Sequence, residues 1–140
     1  LRETNRVIVH CSATKPSLDV GVLEIGRWHV QRGFNEVGYH FVIRRDGTRE
    51  EGRPVSIQGA HTIGYNRDSI GICLVGGVDD NGQPDCNFTF SQWAELKFLL
   101  EELSQKYPIQ EITGHRDYSS KACPCFDVKA FFNLAEFRKQ

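Results

Sequence analysis

The segment Ser69–Gly77, SIGICLVGG, is apolar at successive positions and not only at alternate ones. A strand with one wet face alternates apolar and polar side chains, so a run that is apolar on both sides belongs inside a sheet covered on both faces. That requirement implies a layered α/β fold with helices packed on either side. The neighbouring segments supply such layers. Arg6–His10 is a short β-branched run that delivers His10 at its carboxyl end, before the polar cluster Cys11-Ser12-Ala13-Thr14. Between Gly21 and Gly33, Val22, Ile25, Trp28 and His29 recur at helical steps, and Gly33 suits the C-terminal end. Tyr39–Ile43 and a stretch after Asp46-Gly47 predict a hairpin with a two-residue turn.

Beyond the central run, Thr89 and Gln92 form a capping box for a helix carrying Trp93, Leu96, Leu99, Leu100 and Leu103. Ile109–Gly114 is a further strand, and Asp127 opens a final helix with Val128, Phe131, Phe132 and Ala135 on one side. The order is β-α-β-β-β-α-β-α without internal repeat or linker, and 140 residues are expected to form one domain over 1–140. Seventeen basic against eighteen acidic residues give a formal charge of −1, which offers no bulk attraction to nucleic acid or an anionic membrane. No apolar run approaches the roughly 20 residues that cross a bilayer, and the opening segment Leu1–Arg6 has no apolar h-region.

The five histidines, at 10, 29, 40, 61 and 115, form no H-x-x-x-H pair, so a metal site here has to be nonlocal. His10 and His115 each follow a strand, where ligands converge beyond the carboxyl edge of an open α/β sheet, and Cys123 follows eight residues after His115. Two imidazoles and a thiolate would leave zinc an open fourth position, the pattern of a catalytic site. Taken alone, each has a plainer reading: a hydrogen-bonded structural histidine, and a small buried thiol. His29, on the apolar helix face, reads as core. Five cysteines cannot all pair within one chain, and their spacing suggests neither a disulfide framework nor a zinc ribbon.

Other chemistries fit less well. Cys11 beside His10 cannot make a protease dyad, because adjacent strand residues face opposite sides. Gly71 and Gly76-Gly77 match no phosphate-binding loop, Asp79-Asp80-Asn81-Gly82 lacks the remaining calcium-loop ligands, and Glu101-Glu102 reads as a solvated helix face. Arg44 and Arg45 near the hairpin read as surface cations.

Several strings together carry a resemblance: Val9–Thr14, Val37–Phe41, Arg45–Thr48, His61–Asn66, Ser69–Gly77 and Lys121–Pro124. They resemble the zinc amidases that cleave peptidoglycan, the N-acetylmuramoyl-L-alanine amidases of the second type related to the peptidoglycan recognition proteins. Among these the small lysozyme-like amidases of tailed phages are most similar. The resemblance covers about Val7 to Phe132. It implies a single central mixed β-sheet flanked by about three helices, and one zinc ion per chain on His10, His115 and Cys123. It also implies catalytic roles for Tyr39 and Lys121, and a loop with His61 and Asn66 beside the substrate. Without it, Tyr39 would read as a core aromatic and Lys121 as a loop cation.

The implied function is hydrolysis of the amide between N-acetylmuramic acid and L-alanine by a phage or prophage endolysin, cytoplasmic before lysis and then acting on the cell wall. The expected partner is peptidoglycan through its muramyl peptide, with no membrane and no nucleic acid. Phage relatives also inhibit their own phage RNA polymerase; the residues that carry that contact have no match here, and it stays open. The alternatives are a cytosolic amidase recycling anhydro-muropeptides and a wall-fragment binding module. Cys123 argues against the binding module, because members of that kind typically lack the zinc cysteine.

Overall fold

The computed structural model describes residues 2–138, so Leu1 of the opening segment lies outside the described residues. The chain runs β1 (Arg6–Cys11), α1 (Val22–Gln31), β2 (Phe41–Ile43), β3 (Arg49–Glu51), β4 (Ser69–Leu74), α2 (Phe90–Lys106), β5 (Glu111–Gly114), α3 (Val128–Phe131) and α4 (Leu134–Arg138). The sheet order is β3-β2-β4-β1-β5, so the doubly apolar segment is the central strand, buried at all six positions. β1 is parallel to both β4 and β5, and β2 is parallel to β4. Among the described residues only β3 runs antiparallel, which makes the sheet mixed.

Alternation sorts the side chains between the two layers. Val7, Val9 and Cys11 of β1 join Ile70, Ile72 and Leu74 of β4 against Leu96, Leu99, Leu100 and Leu103 of α2. Val42, Cys73 and Val75 face the other way, toward Val20, Ile25 and Val37 around α1. The capping box forms as its sequence predicts. Gln92 N donates to Thr89 Oγ1 at 3.1 Å, and Thr89 N donates to Gln92 Oε1 at 3.0 Å. Gln92 does a second task, its amide group donating to the carbonyls of Val75 (2.8 Å) and Ile43 (3.1 Å) where two strands end.

Three local expectations are corrected. The hairpin turn is longer than two residues: Gly47 alone has positive φ (+89°), and Arg44 N donates to Thr48 O across it at 2.9 Å. Asp46 therefore stays out of the left-handed region, and one glycine suffices. The final helix is two short ones. Asn133 interrupts them, its side chain accepting from Ala135 N at 2.9 Å as a local alternative to helical bonding, and Phe131 remains exposed. Trp28 sits at the rim, 36 % exposed, while Ile25 and His29 are the buried residues of α1.

Candidate active site and metal centre

Because β1 and β5 are parallel neighbours with Val9 opposite Gly114, the residues that follow, His10 and His115, emerge side by side at the carboxyl edge. Their rings lie 4.6 Å apart between centroids. The loop after His115 folds back, with Arg116 N donating to Cys123 O at 2.7 Å and Cys11 N donating to Cys123 Sγ at 3.1 Å. One ligand atom each from His10, His115 and Cys123 then lie within 4.8 Å of one another. Among the described residues no carboxylate joins this group. Burial lowers the proton affinity of both imidazoles, with the Lys121 charge adding to the effect, and a neutral imidazole is the form that binds a metal. Two neutral nitrogens and a sulfur are a donor set that suits a borderline-soft ion such as zinc.

A cavity of about 510 Å³ opens over the group, lined among others by Arg32, Tyr39, His61, Asn66, His115 and Lys121. The Tyr39 ring is 5.1 Å from that of His10. Burial pushes the phenol's pKa up, so its O–H is retained as a donor. Arg32 and Lys121 bring positive charge to the cavity wall, and among the described lining residues none is acidic. Of the residues the resemblance nominated, Tyr39, His61, Asn66, His115, Lys121 and Cys123 line this cavity, and His10 lies buried against them.

His61 and Asn66 reach it differently. The Asn66 side chain accepts from the backbone N–H groups of His61 (2.9 Å) and Thr62 (2.8 Å), holding the loop in shape. The His61 ring turns inward, Nδ1 to Nε2 of His10 at 2.9 Å, and burial takes its pKa down to about 3. Arg32 and Thr62 also line the cavity; no motif or periodicity marks Arg32, whereas Thr62 falls inside the His61–Asn66 string without being singled out there. His29 also lines the cavity, accepting from Gly38 N at 2.8 Å with its ring 5.3 Å from Tyr39. Arg44 and Arg45 turn to structural partners: Arg44 pairs with Asp19 at 3.0 Å, and Arg45 donates to the carbonyls of Val75 and Asn87. All five cysteines are free thiols; Cys86 is exposed and Cys125 donates to Gly77 O at 3.2 Å.

The family model for N-acetylmuramoyl-L-alanine amidase matches residues 1–126. The endolysin of Klebsiella phage KP32 is 50% identical over 135 residues, covering 96% of this chain and 89% of that protein. The structure of N-acetylmuramoyl-L-alanine amidase LysC from Clostridium intestinale superposes with a TM-score of 0.79 at 30% identity, over 99% of this chain and 85% of that one. Peptidoglycan recognition protein-LE, solved in complex with tracheal cytotoxin, a monomeric diaminopimelic acid-type peptidoglycan, gives a TM-score of 0.73 at 26% identity, over 89% and 75% of the two chains.

Proposed function

The chain belongs to the N-acetylmuramoyl-L-alanine amidase family and is a peptidoglycan-cleaving amidase of the endolysin kind, and from that premise we propose that His10, His115 and Cys123 hold a catalytic zinc ion. The observation that carries the proposal is the convergence of those three ligand atoms, from two adjacent parallel strand ends and the returning loop, within 4.8 Å. The scissile bond is the amide joining the lactyl group of N-acetylmuramic acid to L-alanine. When bound, zinc supplies Lewis acidity, polarising that carbonyl and making water a usable nucleophile near neutral pH.

The chain's own groups do the rest. Attack on the carbonyl carbon puts negative charge on its oxygen, and Lys121 on the cavity wall stabilises that charge. Tyr39, held protonated, donates a hydrogen bond to the reacting groups and assists protonation of the departing L-alanine nitrogen. Arg32 adds a second cation for the carboxylates of the stem peptide. The loop bearing His61 and Asn66 forms the opposite wall of the substrate cavity, with Asn66 keeping its conformation.

The test is turbidity loss of purified sacculi with and without chelator, combined with detection of new L-alanine amino termini and zinc stoichiometry. One zinc per chain, with chelator-sensitive release of L-alanine termini, is expected. Full activity in metal-free protein overturns the zinc assignment.

A further inference from the structure

We infer that His61 and Thr62 are positioning residues that aim His10 at the metal, an inference that rests on His10 being a ligand. His10 Nε2 lies 2.9 Å from His61 Nδ1 and 3.2 Å from Thr62 Oγ1, and those two acceptors are 3.0 Å apart. With Nε2 engaged in this triangle, Nδ1 is the nitrogen left for a metal.

The placement of protons then has one consistent solution. A ligating nitrogen needs its lone pair, so the proton of His10 sits on Nε2 and is donated to His61 Nδ1 and Thr62 Oγ1. His61 carries its proton on Nε2, which faces Ser69 Oγ at 3.4 Å. Placing a proton on His61 Nδ1 instead makes His10 Nε2 the acceptor, moves the His10 proton to Nδ1 and removes the ligand lone pair.

The surroundings are shaped for this arrangement. A Cβ on Gly71, in the middle of the central strand, would lie 2.6 Å from the His61 ring, so the strand gives up a side chain to admit the imidazole. Asn66 fixes the backbone of both positioning residues. His10 and Thr62 are 1 % and 2 % exposed, so solvent is a poor substitute for either partner.

The experiment measures zinc affinity of the full chain by competition with a chromogenic chelator for wild type, His61→Ala, His61→Asn and Thr62→Val. Michaelis constants on a soluble muramyl peptide are measured at saturating zinc. His61→Ala and Thr62→Val are expected to weaken zinc binding about 10- to 100-fold. His61→Asn, whose amide oxygen can replace Nδ1 as acceptor, should recover most of the loss. Thr62→Val, close in shape, keeps the test valid if His61→Ala does not fold. Zinc affinity within twofold of wild type in the folded variants, or a raised KM with unchanged zinc affinity, overturns the inference. Wild type that binds no zinc overturns the ligand assignment beneath it, a result distinct from both.

Discussion

Against α2 the sheet presents Val7, Val9, Ile70, Ile72 and Leu74 to four buried leucines, whereas its opposite side carries a chain of ring contacts from His29 through Tyr39, His10 and His61 to His40. The first surface stabilises through apolar area removed from water, a term indifferent to direction. The second buries imidazoles, each of which needs a hydrogen-bond partner at a defined angle. One sheet therefore separates an apolar layer from one that combines apolar packing with the chemistry, so loss of a metal ligand and loss of a core leucine should show separately.

Cys123→Ser is the sharpest way to break that separation. A neutral hydroxyl is a far poorer ligand than a thiolate, so bound zinc and lytic activity should both be lost while circular dichroism stays native. Zinc retained at full stoichiometry with full activity would remove Cys123 from the site. On the other face, Leu99→Ala should cost about 3 kcal/mol in urea unfolding, with activity per folded molecule unchanged.

Acid should find the imidazole layer first. Burial takes the pKa of His40 down to about 4, its Nδ1 accepting from Gly71 N at 3.0 Å. The unfolded chain takes up that proton near pH 6.5 and the folded chain only near 4, so between those values the unfolded state binds more protons and stability falls as pH falls. His40 alone accounts for a loss of about 3 kcal/mol over that window, read as a drop in the urea midpoint from pH 7 to pH 4. A flat midpoint would show that His40 is protonated without cost. Lys121→Ala should leave zinc and melting temperature in place, since the side chain is exposed, and lower turnover on the order of 10²-fold. Unchanged turnover would take Lys121 out of the mechanism.

Strong local signals in the sequence were met closely. The apolar run at Ser69–Leu74 is the central strand, Thr89 and Gln92 cap α2, and His10 and His115 stand at strand ends. Weaker ones were decided by competition. Phe131, Phe132 and Ala135 fit a helical stripe, yet the Asn133 side chain, accepting from Ala135 N, breaks the stripe between Phe132 and Ala135. Asp46-Gly47 fits a two-residue turn, but the loop takes the longer path in which glycine alone enters the left-handed region.

Hydrophobic periodicity and capping chemistry are local, and they were enough to specify the α/β order, the central strand and the strand ends where ligands could sit. Pairing β1 with β5 was not local, and it is what brings His10 beside His115, more than a hundred residues away in the chain. Nor was the loop that turns His61 and Thr62 onto the far side of the His10 ring. A hydrogen bond requires two groups at about 3 Å in a set direction, and only the packed chain sets that distance and direction.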